Sequence, residues 1–529
     1  LFKDFYHFPP CLNLLCQFSL FRFIVSGEFQ EPFMADCSAD VNKDAIRKLF
    51  LNGVFCIWGN LKISYKKRAL LFCKRFGMII ERTSVQFMPG GRETVMQIAI
   101  VGGGAAGMCA AVTAARMGAE VTVFEKMDRV GKKLLATGNG RCNISNEDMS
   151  LTHFHGGSQA FIKEVLERVT PEETRSFWES LGQVLISEEG KLFPMSLQAS
   201  GVLDALRAEL ERCGVTVVCG KAVEHITQVK RSWRLSGADG ADLGRFQRVI
   251  LTVGGKASPQ LGADGDGLHL AKQLRHTVVP LRPALVKLRC RSPYLKSVSG
   301  CKVEARASLM HGDEILQQEW GEVLFTAEGL SGPPVLRLAR EALVPGRNCS
   351  IALNLMDDMR EGECFWWLRQ RSERFEYMSI QEMLSGILNK RLIQPILKEI
   401  EVPAQTRCAQ LTKQQIQALA RILQWWTFPV LGDGGWKEAQ VTVGGIYTGE
   451  VEARTMESKK NKGIYWAGEV LDVDGDCGGY NLQWAASSGI LAGRSAAEYV
   501  LHGAAADGRT FATACGACVT YTVPQQIRL

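Results

Sequence analysis

Residues 96–126, MQIAIVGGGAAGMCAAVTAARMGAEVTVFEK, constrain this chain more than any other stretch. An apolar run, Ile98 to Val101, is followed at once by Gly102, Gly104 and Gly107 in G-x-G-x-x-G spacing. An Ala-rich segment of helical periodicity runs from Ala105 to Gly118, and a second apolar run, Val121 to Phe124, ends at Glu125. Strand, tight turn, helix, strand and acid in this order form a dinucleotide-binding unit. Gly102 permits the turn, Gly104 lets the backbone approach a pyrophosphate, and Gly107 lets the helix lie close on the strand. The helix N-terminus, with Ala105 and Ala106, presents free N–H groups and the positive end of the helix dipole to phosphate. Glu125 is placed to accept hydrogen bonds from a ribose.

The next segment, KMDRVGKKLLATGNGRCNISN (126–146), is a basic loop running into a Gly/Asn-rich stretch. It offers Lys126, Arg129, Lys132 and Lys133 as cations, and closely approaching backbone at Thr137-Gly138-Asn139-Gly140, beside a diphosphate or a polar ring. Two distant segments read as strands that end in glycine. VILTVGGKASPQLGADGDG (249–267) ends at Thr252-Val-Gly254-Gly255, and GIYWAGEVLDVDGDCGGYNLQWAASSGILAG (463–493) turns at Gly468-Glu469. Open parallel sheets bind ligands at such carboxyl ends. The small residues of 485–493 predict a helix that packs closely.

Taken together, GGGAAG, GKKLLATGNGRCNISN, TVGGK…GADGDG and WAGEVLDVDGDCGGYNLQWA resemble a family of bacterial FAD-binding oxidoreductases, the BaiN-like or aminoacetone-oxidase-like flavoproteins, over about residues 96–503. The sequence departs from the family pattern at Ala327-Glu328, where a histidine or aromatic residue is expected. The resemblance implies an α/β fold: a glutathione-reductase-type FAD-binding Rossmann domain with an inserted β-barrel-like domain that carries a helical subdomain. It implies that Gly102, Gly104, Gly107 and Glu125 hold the ADP half of FAD. Lys133, Arg141, Cys142 and Asn143 would lie along the cofactor. Thr252, Gly254 and Gly255 would flank the adenine side, and Gly468 and Glu469 the ribityl chain. Gly479, Tyr480, Asn481 and Leu482 would sit near the flavin ring. Lys126, Thr137, Gly138, Gly140 and Val223 are assigned to the cofactor as well.

The expected organisation follows. Residues 96–285 and 441–503 form the two parts of the FAD domain. Residues 286–440 form the inserted domain, β-like over 284–356 and helical over 361–428, where apolar residues recur three and four apart and Leu411-Thr412-Lys-Gln-Gln415 resembles a capped start. The Trp366-Trp367 and Trp425-Trp426 pairs read as core or as a substrate wall. Residues 1–95 begin with Leu and hold 13 of the 24 Phe. They carry five of the seven net positive charges and show no sustained period. They read as translated upstream sequence or a disordered leader, with Met96 as the natural start. Residues 504–529 read as a tail, whose Cys515 and Cys518 lack a second pair to complete a zinc site.

The remaining charge balance, +2 over residues 96–529, gives no reason to expect nucleic acid. The most apolar stretch of the leader, residues 11–25, is too short to span a bilayer and carries Arg22. Twelve Cys scattered over 96–529 fit a reducing cytoplasm rather than a disulfide framework. Cys142 stands alone in its motif, which disfavours a dithiol reductase and leaves it as a flavin-facing acid or a small buried residue. No second G-x-G-x-x-G follows Gly107, so NAD(P)H is expected as a transient donor over the flavin. None of the eight histidines receives a catalytic role, and no metal site is read. Backbone N–H groups of Gly444 and Gly445 are candidates for an oxyanion site, Tyr480 for a proton donor, and Arg141 for a carbonyl polariser. The leading expectation is reduction of an activated C=C bond in a small steroid-like enone of the oxo-bile-acid type. Amine or aminoketone oxidation by oxygen, and an RNA-modification accessory role, are the alternatives. Oligomeric state is left open.

Overall fold

The computed structural model describes residues 96–503 apart from residue 361, so the expected leader and tail lie outside the described residues. Five parallel strands form the central sheet in the order Ile464–Trp466, Arg248–Leu251, Gln97–Val101, Glu120–Glu125, Thr216–Cys219. The inner strands are near-continuous apolar runs because both faces are covered, as in α/β proteins generally. Ile98, Ala99, Ile100, Val249, Ile250 and Leu251 are fully buried. Thr216–Cys219, on the sheet edge, is largely exposed.

The helix Ala105–Arg116 lies between this sheet and the long helix Tyr480–Gly503. Their close approach is made by glycines: a Cβ at Gly489 would stand 2.4 Å from the Ala106 carbonyl oxygen, and one at Gly493 2.4 Å from that of Ala110. The small residues of 485–493 therefore pack against the first helix.

Between the two parts of this unit stands a closed six-stranded barrel. Its order is Leu288–Cys290, Gly329–Ser331, Glu314–Thr326, Lys302–His311, Cys349–Asn354, Trp426–Asp433, with the last pairing back to the first. Phe325, Trp426 and Phe428 meet inside it with ring centroids 4.9–5.9 Å apart. Four helices, Glu363–Arg374, Ile380–Ser385, Lys390–Glu399 and Lys413–Gln424, are inserted between the last two strands of the chain order. Thr412 and Gln415 form a capping box at the start of the last one. The fold is thus α/β, with a Rossmann-type sheet, an inserted barrel and a helical insertion in the barrel.

The helical reading of 361–428 overshoots its C-terminal end. The last helix stops at Gln424, and Trp426 opens a barrel strand. The apolar run ILQWW fits either period, and barrel closure decides it. The tryptophan pairs split accordingly: Trp426 is buried in the barrel, whereas Trp366 and Trp425 are exposed. Residues Val441–Ile446, at the start of the second FAD-domain part, pair antiparallel with Val278–Ala284 in a separate two-stranded ribbon. Among the described residues no helix is long and apolar enough to cross a membrane.

Candidate cofactor and active site

A cavity of about 700 Å³ runs from the glycine turn at Gly102 to the start of the helix at Tyr480 and on to Leu285, Val441 and the helix Pro333–Ala342. Its volume lies in the range of small-molecule and cofactor sites. At one end the three motif glycines behave differently. Gly102 has φ +105°, and a Cβ there would lie 2.4 Å from the Thr252 carbonyl oxygen. A Cβ on Gly107 would be 2.0 Å from the Gly102 oxygen, so the helix sits directly on the turn. A Cβ on Gly104 would meet nothing within 4 Å, because Gly104 faces the cavity. Thr252 fastens the neighbouring strand end by donating its hydroxyl toward the Gly102 oxygen at 2.8 Å.

Glu125 lines the same end. Its carboxylate accepts the Gly103 N–H and the Met127 N–H, each at 2.8 Å. These bonds fix the carboxylate and leave lone pairs for a ribose hydroxyl. Lys126 pairs with Asp264. Lys133 Nζ is 2.6 Å from Glu469 Oε2, while Glu469 Oε1 accepts the Thr442 N–H at 2.9 Å, so the basic loop is tied across the cavity to the strand ribbon.

The segment 137–143 folds tightly through left-handed backbone at Gly138, Asn139, Gly140 and Cys142. Thr137, Gly138, Arg141 and Asn143 reach the cavity. The Arg141 guanidinium pairs with Glu188 at 2.5 Å and lies over the Phe193 ring, 4.5 Å from its centroid. Ala105, Ala106, Val223, Gly254, Gly468, Gly479, Asn481 and Leu482 complete the sequence-predicted lining.

Seven sequence-predicted residues do not line it. Gly107 and Gly255 are spacers; a Cβ on Gly255 would strike Thr442 Oγ1 at 2.3 Å. Gly140 sits in the tight loop outside the wall. Cys142 is fully buried, and burial pushes its thiol up to about 11, with a hydrogen bond from Thr137 opposing. Gly444 and Gly445, the expected oxyanion donors, lie outside the cavity wall. Gly444 is packed against the backbone of Pro280, where a Cβ would lie 2.4 Å from the carbonyl oxygen, and Gly445 is clamped against Val470 and Leu471, where a Cβ would lie 2.6 Å from the Val470 oxygen. Tyr480 is buried against His153, ring on ring at 4.5 Å, and edge-on to Phe154. Burial first, then Asp148 and Asp476, push its phenol up to about 12, which makes it a weaker acid than an exposed tyrosine.

The structure adds residues that sequence reasoning missed: Lys191, Phe193, Leu285, Pro333, Arg337 and Asp476 all line the cavity. Only Asp476 stood inside a quoted motif. The others come from three separate segments of the chain and carry no local signature. His153 and His155, given no role, both hydrogen-bond Asp476, at 3.0 and 2.8 Å.

Three observations fit a bound FAD. The helix after Gly104 has no side-chain cap and no acid in its first turn, so its N-terminal N–H groups remain available for phosphate. The wall at Gly104 is bare backbone. Asn143 Oδ1 is buried without a hydrogen-bond partner at the cavity wall, an acceptor in want of a ligand N–H or O–H.

All ten cysteines within the described residues are free, and Cys219 is exposed. Brief alkylation at neutral pH followed by peptide mass spectrometry is expected to label Cys219 first among these ten and to leave Cys142 and Cys109 unmodified in the folded protein. Rapid labelling of Cys142 would mean that its loop opens.

The chain matches the family described as HI0933-like protein Rossmann domain over residues 96–495. It is 38% identical over 409 residues, 76% of this chain and 99% of the relative, to the 3-dehydro-bile acid delta(4,6)-reductase of Clostridium scindens. It is 29% identical to the ribosomal RNA dihydrouridine synthase of Haemophilus influenzae, over 74% of this chain and 95% of that protein. The Escherichia coli protein of the same name is 31% identical at the same coverage. With its glycine turn, bare helix N-terminus and matched length, this chain is an FAD-dependent oxidoreductase of the HI0933-like, BaiN-like family.

Proposed function

We propose that the protein reduces a carbon–carbon double bond conjugated to a carbonyl, in a steroid-like enone of the oxo-bile-acid type, with NAD(P)H as electron donor. The observation that carries this reading is the make-up of the cavity beyond the cofactor end. Phe193, Leu285, Pro333 and Val441 give it apolar walls, and Arg141, Lys191, Arg337 and Asp476 are its charged points. An apolar chamber with few charged groups suits a fused-ring enone, burying the rings and orienting one polar end. The 38% identical bile-acid reductase supports the same substrate class.

FAD, when bound, supplies the hydride. Everything else falls to the chain. The N–H groups after Gly104 hold the pyrophosphate, and Glu125 holds the ribose. Lys133 and Glu469 brace each other across the cavity. Arg337, anchored to Glu319 at 2.6 Å, and Arg141, anchored to Glu188, supply positive potential toward which a substrate carbonyl turns its oxygen. Negative charge develops on that oxygen as the β-carbon accepts hydride, so these cations act most strongly in the transition state.

The relatives called dihydrouridine synthases favour a second substrate within one reaction class. Dihydrouridine differs from uridine by two hydrogens across a double bond conjugated to a carbonyl. Substrate alone separates the two readings.

The test is an anaerobic visible spectrum of the purified protein. The flavin band is expected to bleach on addition of NADH or NADPH, and to return on addition of a 3-oxo-bile-acid dienone. Return with uridine-containing RNA but not with the dienone would move the substrate to RNA. Bleaching by an amine, with return only on admitting oxygen, would make the protein an oxidase and overturn the reading.

A further inference from the structure

Asp476 lies at the cavity wall between the strand Val473–Gly475 and the helix that begins at Tyr480. Both of its carboxylate oxygens are held. Oδ2 is 3.0 Å from His153 Nδ1, and Oδ1 is 2.8 Å from His155 Nε2. The backbone fixes this arrangement. Val473–Gly475 pairs antiparallel with Phe154–Gly156, and the Asp476 N–H donates to the His153 carbonyl at 3.0 Å.

His153 has a carboxylate on each side. Its Nε2 is 3.1 Å from Asp148 Oδ2, and Asp148 is largely exposed. A neutral imidazole has one donor and one acceptor nitrogen, so it can satisfy only one of two flanking carboxylates. The imidazolium satisfies both. The Tyr480 ring stacked on it at 4.5 Å favours the cation further. Burial pulls the His153 pKa down, but the hydrogen bonds to Asp476 and Asp148 outweigh it and hold the pKa above the ordinary value. Burial likewise raises Asp476, and the bonds from His155 and His153 bring it below the usual carboxylate value. The groups facing this cluster are therefore Asp148, His155 and Tyr480, with Cys477 beside Asp476. An imidazolium at His153 holds its Nδ1 proton one hydrogen bond from Asp476, which lines the cavity.

We propose that Asp476 is the residue that delivers the proton to the substrate, and that His153, acting through it, is the positioning residue and proton store. The inference rests on the reductase reading. The electron pair and one hydrogen reach the β-carbon as hydride. The His153 Nδ1 proton crosses to Asp476 Oδ2, and the neutral acid gives it to the α-carbon, completing the C–H bond and closing the carbonyl. His153, left neutral with its Nε2–H on Asp148, regains a proton from water, to which its side chain is 30% exposed. The proton source assigned by sequence to Tyr480 passes to this pair.

Two measurements test it. In flavin-free protein, nitrogen-resolved NMR of the histidine side chains is expected to show His153 still protonated on both nitrogens at pH values above the ordinary histidine pKa. Asp148→Asn and Asp476→Asn should each return it to neutral. In the FAD-loaded enzyme, Asp476→Asn is expected to slow substrate reduction about a hundredfold, the loss falling in the step that consumes substrate and not in reduction by NAD(P)H. His153→Gln should slow it about tenfold and flatten the alkaline limb of the pH profile, an effect that a merely structural role would not produce. If Asp476→Asn fails to retain flavin, His153→Gln carries the kinetic test with the carboxylate in place. A neutral His153 in the wild type, or full turnover in either variant, overturns the assignment. A wild-type enzyme that reduces neither dienone nor uracil overturns the functional reading instead.

Discussion

Gly107→Ala is expected to cost about 3 kcal/mol of stability and to yield protein without flavin. The added methyl carbon would lie 2.0 Å from the Gly102 carbonyl oxygen and 2.7 Å from Thr252 Oγ1. The first is backbone and cannot swing aside. Relief requires the helix Ala105–Arg116 to lift off the turn, and the other face of that helix is already in backbone-close contact with Gly489 and Gly493. Strain in this place therefore spreads through both helices. Gly104→Ala is the matched control. Gly104 has φ −77°, which alanine adopts freely, and its new methyl meets no protein atom within 4 Å. Its unfolding free energy should stay within about 0.5 kcal/mol of wild type, while FAD affinity falls at least about tenfold, because the methyl occupies the space that phosphate approaches. Urea denaturation and flavin stoichiometry read both effects. A Gly104→Ala protein that keeps its flavin would remove Gly104 from the phosphate site.

Arg340→Met is expected to destabilise the fold by about 3 kcal/mol, for an electrostatic reason. Arg340, on the helix Pro333–Ala342 beside the barrel, makes two bonds to Asp474, at 2.8 and 3.3 Å. Asp474 is 2% exposed and belongs to the strand beside the cavity. Removing the guanidinium leaves a buried carboxylate without its counter-ion. Asp472 makes matters worse: burial first, and then Asp474, already raise its pKa. Arg282 is lowered by burial and by Arg340 itself, and stands near as a partial substitute, which keeps the loss below the upper end for broken buried pairs. Adding Asp474→Asn to Arg340→Met should recover more than half of the loss, since the uncompensated charge goes with it. The double-mutant cycle in urea checks this. Full additivity of the two substitutions would show that the pair does not couple.

Residues 96–126 determined a great deal by themselves. Strand, turn, helix, strand and acid are contiguous there, so their dihedral preferences and apolar periods act over a few residues, and the cofactor class follows from the same stretch. The capping box at Thr412 and Gln415 is legible for the same reason, because both partners lie within one helical turn. The tertiary structure decided what contiguity cannot. Trp426 is apolar in either a helix or a strand, and only pairing with Cys349–Asn354 and Leu288–Cys290 makes it strand. Gly444 stood in a glycine pair open to any ligand in the sequence, until the fold packed it against the Pro280 backbone away from the cavity. His153 and His155 stand more than 300 residues from Asp476, and no local pattern marks the three as neighbours. Arg340 meets Asp474 across 134 residues in the same way. Local sequence fixes where the backbone turns and what it can cradle. The electrostatics of the chemistry depend on distances between side chains from remote segments, and only packing sets those distances.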